Sequence, residues 1–509
     1  MKPRNLLSLL VLVTMLLGAV ACQTAKPPVT NDPKTPKDLI IGLDADPPSL
    51  DSYATSNAQG HNVLSLILER LIKKDAAGNY IPWLATKWEL VSDTKMTFTL
   101  RDDVYFSDGT KFTPEDAVFS LQTAATSSFT RNLFGAIDVE NTKVTGPNTI
   151  EVNLLRPDAS LFEALSSIRG VMLSKAHYES LSPEERGRNP LGTGPMKLDN
   201  WVAGDRLELV HNEHYWGEKP KFNKAVFRVI VEAATRAIDL ETGGVDIALS
   251  LSPTDWDRID KGANTKLVSG MTQGVWFITF NSEIPPFDNI LVRKAIAHAI
   301  NLEAMVAAAW QGVGVPATSH IPATVFGHKA IGPWEYNPEK ARQLLAEAGY
   351  PNGLQITFQT YEQSLYLAIA ETAQEMLREV GIEVKIDVTD LATYTNMNNE
   401  GKIPFSVMNT QAVIPDPTAA LLVWPTHRTI SIRHNDTHID DLMEAGASTY
   451  DQAERERIYH ELLDYLWEKL YTLPVGYAQR ADGVRKNVQG FEFAPNVMNI
   501  DLTKVSFTN

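Results

Sequence analysis

Short apolar runs bounded by turn residues alternate along this chain with apolar residues at helical spacing. Leu39-Ile40-Ile41-Gly42-Leu43 is stopped by Asp46-Pro47-Pro48-Ser49, which predicts a buried strand. Val63, Leu64, Leu66, Ile67, Leu68 and Leu71 then fall on one helical face, and Gly78-Asn79 marks the turn beyond. From about 80 to 190, β-like runs such as Thr97–Leu100 and Thr149–Val152 alternate with turns. Between them, Thr113-Pro114-Glu115-Asp116 supplies a capping Thr, a first-turn Pro and acids for the positive end of a helix dipole.

Two later stretches have the strand-helix-strand rhythm that builds parallel sheet. In the first, Val226–Val231 leads to an amphipathic segment over Thr235–Leu240, then Gly243-Gly244 and the strand Val245–Leu249. In the second, Gln355–Phe358 precedes a helix from about Leu365 to Val380, closed by Gly381, and Ile382–Val388 returns as an alternating strand. Asn337-Pro338 opens another helix that Gly349 ends, and a long amphipathic helix covers Glu454–Leu470. No repeat at solenoid periods is present. The pattern predicts an α/β protein of two unequal lobes, as does a length of 509 residues, since single cores stop growing near ~250–300 residues.

Composition narrows the function. Hydrophobic residues at 44% and charged residues at 21% suit a folded globular protein. A formal charge of −16 without a Lys/Arg run after residue 40 excludes a polyanion-binding face, so no nucleic-acid partner is expected. At the N-terminus, Lys2 and Arg4 precede an apolar run from Leu6 to Val20, too short to span hydrocarbon and reading as an export signal over residues 1–21. The single cysteine, Cys22, follows Ala19-Val20-Ala21 in a position that resembles a bacterial lipobox. Residues 22–37, rich in Pro, Thr, Lys and Asp, cannot bury a core and read as a tether.

Catalytic signatures are missing where they would be sought. His460-Glu461 has Asp464 where a zinc-binding helix needs its second histidine, and His211 and His214 have no nearby Cys or further His to close a metal site and read as surface residues. Gly192-Thr193-Gly194-Pro195 loses a backbone N–H at Pro195 where a phosphate loop needs donors, and no nucleophile elbow occurs. No catalytic residue, metal site or cofactor is assigned. A secreted hydrolase with an unrecognised carboxylate pair and a surface adhesin or chaperone stay as alternative classes.

Several ordered blocks together resemble the bacterial extracellular solute-binding proteins of the oligopeptide, dipeptide and nickel class, which feed ABC importers. They include Pro82-Trp83-Leu84-Ala85, Phe106-Ser107-Asp108-Gly109, Gly192-Thr193-Gly194-Pro195, Tyr215-Trp216, Gly243-Gly244-Val245-Asp246, Phe280-Asn281 and Tyr336-Asn337-Pro338. The resemblance, from about residue 38 to the C-terminus, implies a two-lobed α/β periplasmic-binding-protein fold of type II, the large cluster-C form with an extra inserted domain. Lobe 1 is discontinuous over 38–59, 190–280 and 486–509. The insert covers 60–189 and lobe 2 covers 281–485, with hinge crossings near Asn281 and residue 485. Most of the matched glycines, prolines and aromatics are assigned to holding the fold.

The implied function is capture of a small peptide or peptide-like solute between the lobes by a monomer and its delivery to the permease subunits of an ABC importer. The implied place is the periplasm or the outer face of the cell membrane, with Cys22 lipidated as the anchor. Tyr394, Trp424, Asp416 and Val413, with Phe129 and Asn281, are the implied ligand-binding candidates. Val413 stands where peptide binders of this class carry an Asp that neutralises the ligand ammonium, three positions before Asp416-Pro417. That substitution opens oligosaccharides, opine-like compounds and metal chelates as alternative ligands, unless Asp416 takes the anchoring role.

Overall fold

The computed structural model describes residues 37–508 apart from 56, 76, 427–431, 497 and 499. Cys22 and the expected signal and tether therefore lie outside the described residues.

Two large sheets organise the body. The first has the strand order Thr265–Met271, Gln479–Arg485, Ile247–Ala248, Leu39–Leu43, Lys224–Val229, Arg206–His211, Met196–Val202. The second runs Val315–Pro316, Thr472–Tyr477, Gly274–Phe280, Phe405–Gln411, Leu354–Tyr361, Ile382–Thr389. The predicted parallel pairs are present: Leu39–Leu43 lies between Lys224–Val229 and Ile247–Ala248, and Leu354–Tyr361 pairs in full register with Ile382–Thr389. Helix Ser364–Arg378 connects that second pair, and its buried face of Tyr366, Ile369, Ala370, Ala373 and Leu377 covers the sheet.

The chain passes between the sheets at Thr272-Gln273 and again at Ala478. Both crossings come earlier than the expected positions near Asn281 and residue 485. Asn281 instead ends a strand of the second sheet, whose Val275, Phe277, Ile278 and Phe280 are buried. Arg485 ends a strand of the first sheet that pairs along Thr265–Met271.

A four-stranded antiparallel sheet, Ala85–Ser92, Lys95–Leu100, Thr149–Asn153, Lys143–Gly146, forms the inserted region with helix Pro114–Thr126. That helix begins at the predicted capping Thr113, which forms a capping box with Asp116, each side chain accepting from the other's backbone N–H. The inserted region shares one continuous core with the first sheet, whereas the second sheet has its own.

One predicted helix is cut short. Helical spacing continues to Leu71, but the helix is Ala58–Leu64. Leu66, Ile67, Leu68 and Leu71 remain buried in irregular backbone because neighbouring segments take its hydrogen bonds. Met196 N–H donates to Leu66 O at 3.0 Å, Gly194 N–H to Ile67 O at 2.9 Å and Met172 N–H to Glu69 O at 2.7 Å. This contact explains the glycines of 192–195: a Cβ on Gly192 would lie 1.9 Å from Ile67 O.

The same seam gathers other blocks of the resemblance. The buried Glu69 carboxylate accepts from Trp83 Nε1 at 2.6 Å, Trp216 Nε1 at 2.9 Å, Thr193 Oγ1 at 2.9 Å and Tyr215 OH at 3.4 Å. These motif residues fasten the inserted region to the first lobe, in line with the structural role assigned to them.

Candidate functional site

Both large sheets turn the carboxyl ends of their parallel strands toward the crossings. In the first sheet, Thr265–Met271 runs into the crossing and Leu39–Leu43, Lys224–Val229 and Ile247–Ala248 point the same way. In the second, Gly274 leaves the crossing paired with Gln411, so Phe405–Gln411 and its parallel neighbours Leu354–Tyr361 and Ile382–Thr389 end toward the first lobe. Open α/β sheets bind ligands in the crevice outside the carboxyl strand ends. The space between the lobes is such a crevice on both sides.

On the first-lobe side the strand ends are tied down by a buried charge network. Ser250 has a positive φ of 54°, uncommon for a residue with a side chain. Its N–H donates to Asp482 Oδ1 at 2.9 Å, and Arg236 donates to its carbonyl at 2.7 Å and to Leu249 O at 3.0 Å. Asp482, pushed up by burial and pulled back by Arg480, pairs with that arginine at 3.0 Å.

The loop after Phe405–Gln411 reaches across. Ile414 and Ala419 belong to the first-lobe core cluster, Val413 packs against it, and the Val413 carbonyl accepts from Asn496 Nδ2 at 2.6 Å. Tyr450 OH donates to Asp93 O at 3.0 Å and accepts from Asp158 N–H at 3.3 Å, and Ala159 N–H donates to Ala447 O at 2.8 Å. The described arrangement is therefore closed, with the second lobe docked on the inserted region.

A cavity of about 430 Å3 lies at that junction. The inserted region lines it with Lys74, Tyr80, Trp88, Phe162 and Glu163, the second lobe with Phe326, Asp416, Tyr450 and Arg455. Its charges are matched. Lys74 pairs with Glu163 Oε2, which also accepts from Tyr80 OH at 3.0 Å. Asp416 takes a two-pronged bond from Arg455 at 2.7 and 2.9 Å. Burial, with the Glu163 charge, holds the Tyr80 phenol above its ordinary range, so it stays a neutral donor.

The sequence-predicted candidates do not converge on one point. Asp416 lines the large cavity, but it also caps helix Pro417–Ala420 through Thr418 N–H at 3.0 Å. Tyr394 lines a smaller cavity of about 150 Å3 on the second lobe with Tyr361, Tyr366 and Asn409. Val413 sits at the lobe contact described above. Trp424 is fully buried, ringed by Phe277, His320 and His434. Asn281 is also buried, its amide donating to Gly401 O at 2.9 Å and its Oδ1 accepting from Glu283 N–H at 3.1 Å. Phe129 is exposed after helix Pro114–Thr126. His211, expected at the surface, is half-buried and bonds the Phe222 carbonyl at 2.8 Å. Sequence reasoning missed Lys74, Glu163, Arg455, Tyr361 and Tyr366. Only Tyr361 carried a signal, lying just beyond the predicted strand Gln355–Phe358.

The family model for bacterial extracellular solute-binding proteins, family 5 (middle part) matches residues 79–430. The glutathione-binding protein GsiB of Escherichia coli strain K12 is 27% identical over 477 residues, 90% of this chain and 93% of that protein. Among solved structures, the periplasmic binding protein AgaA from A. tumefacien R10 in complex with agropinic acid is 27% identical, with a TM-score of 0.76 over 93% of this chain and 99% of that one. The ABC transporter-associated periplasmic binding protein DppA of Helicobacter pylori, in complex with peptide STSA, shares the fold at a TM-score of 0.76 and 24% identity, covering 92% of this chain and 98% of that one. With strand ends of two sheets facing one crevice and a family match from the inserted region through most of the second lobe, this chain belongs to the bacterial extracellular solute-binding proteins of family 5.

Proposed function

We propose that the protein captures a peptide or peptide-like solute between its lobes, without chemical change, and hands it to the permease of an ABC importer. The observation that carries this is the cavity of about 430 Å3 walled by the inserted region on one side and the second lobe on the other. A solute touching both walls binds the closed arrangement better than the open one, and its differential affinity closes the lobes. The permease then recognises the closed surface, which bound cargo favours. Similarity to proteins that bind glutathione and peptide STSA supports the solute class. Similarity to an agropinic acid binder supports a second reading, a non-peptide solute on the same scaffold.

A thermal-shift comparison of glutathione, peptide STSA and agropinic acid tests the function. A true ligand at a hundredfold excess over its Kd stabilises by about 2.7 kcal/mol. A shift with either of the first two is expected; a shift with agropinic acid alone selects the second reading, and turnover of any of them rejects pure capture.

The proposal includes export on the signal 1–21 and anchoring through lipidated Cys22, at the end of a 22–37 tether. Cys22→Ser should then move the protein from the membrane to the soluble exported fraction with its fold unchanged. Retention in the membrane fraction would reject the lipid anchor.

A further inference from the structure

The smaller cavity, of about 150 Å3, lies where Leu354–Tyr361 and Phe405–Gln411 run toward the first lobe. Three phenol rings form its walls. Tyr361 packs with Tyr366 and with Tyr394 at ring centroid distances of 5.0 Å each. Among the described residues, none of the side chains that line it is a carboxylate, an amine, a guanidinium or a histidine. Burial holds the Tyr366 phenol above its ordinary range, so that hydroxyl stays a neutral donor.

Thr395, Asn398 and Asn409 add uncharged polar atoms to the lining, and apolar side chains lie exposed beside it. Leu391, in the lining, is 59% exposed, and Val388, on the neighbouring strand, is 43% exposed. Tyr366 OH donates to Asn409 Oδ1 at 2.6 Å, which fixes the orientation of the amide. The volume matches that of engineered apolar cavities, about 150 Å3, that admit one benzene ring.

We propose that this pocket is a specificity site that takes one uncharged aromatic side chain of the captured solute. The inference rests on the solute-capture function proposed above and adds to it the class of side chain selected. A carboxylate or ammonium entering here would lose water with no charge partner in the wall, whereas a ring keeps ring-to-ring contacts and buries apolar area.

Two measurements test it. In calorimetric titrations of tripeptides carrying Phe, Glu or Lys at one position among alanines, the Phe peptide should bind at least about tenfold more tightly at the position that enters the pocket. Leu391→Ser, at an exposed residue of the lining, should shrink that preference at least about threefold. A preference that is absent, or undiminished in the variant, overturns the proposal. Phenol is the second probe. Saturable binding to the full chain by ligand-observed NMR, on the order of 1 mM, should be kept in Tyr366→Phe and lost in Tyr366→Ala. No saturable binding, or equal binding to Tyr366→Ala, overturns the pocket assignment, as does displacement of phenol by glucose but not by the Phe peptide. Phenol binding in a protein that takes up no peptide would reject the peptide function while leaving the ring pocket in place.

Discussion

Asp416 shows how one carboxylate can be read two ways. Beside Val413 it is a possible anchor for a ligand ammonium, yet both oxygens are taken by the buried Arg455 and Thr418. An ammonium arriving there would meet a pair already neutral, and freeing the carboxylate would strand a buried guanidinium. Asp416→Ala and Arg455→Ala should each destabilise by about 3–5 kcal/mol, and the double variant by less than the sum. Additive losses in denaturant titrations would show that the pair is not coupled. Backbone strain offers a second contrast. Ser250 and Leu470 both have positive φ, 54° and 49°. Glycine relieves roughly 1 kcal/mol at such positions. Ser250→Gly should therefore stabilise slightly, whereas Leu470→Gly, which also removes a fully buried side chain, should cost a net ~2 kcal/mol or more, the excess of cavity loss over strain relief.

The helix Ala58–Leu64 carries a titration that links local structure to stability. His61 is buried and its Nδ1 donates to the Asn57 carbonyl at 2.7 Å. Burial first, and the Arg169 charge second, lower its pKa from 6.5 to about 4. The unfolded chain takes up a proton below pH 6.5 that the folded chain refuses until about pH 4. Stability from this histidine is therefore complete above pH 6.5 and is lost as pH falls, by about 1.4 kcal/mol per unit, until about pH 4. His61→Gln should flatten the acid limb of the melting profile, the difference from wild type growing to about 2 kcal/mol between pH 6.5 and 5. Parallel profiles for the two proteins would refute this. His320, fully buried among Phe277, Trp424 and Trp467 and lowered to about 3 by burial, adds a slope of the same sign in the second lobe.

Lobe closure is held by few polar contacts. Tyr450 OH joins Asp93 and Asp158 across the junction, and Asn496 holds the Val413 carbonyl. Removing the Tyr450 hydroxyl weakens the closed state without touching either core, so Tyr450→Phe should have a larger radius of gyration in solute-free solution scattering than wild type. It should also return to the wild-type value on saturation with a bound solute, at a weaker apparent affinity, because binding must then supply the closure free energy. Equal radii without solute would mean that this contact does not govern closure.

Periodicity and local cap signals located the strand at Leu39–Leu43, the pair around helix Ser364–Arg378, the helix start at Thr113 and the helix opening at Asn337, because caps, turns and apolar spacing are encoded within a few residues. The ordered motif blocks carried the family and the two-lobed plan. What they could not carry was decided between distant segments. The helix predicted to Leu71 ends at Leu64 because residues 172 and 194–196 claim its backbone. The crossings lie at Thr272-Gln273 and Ala478 because strand register, which only the assembled sheets define, sets where one lobe stops. Trp424 and Asn281 became core, and Asp416 acquired Arg455, through partners remote in sequence. Local free energies select the elements; the cavity walls arise where side chains from separate elements compete for the same buried space and the same hydrogen bonds.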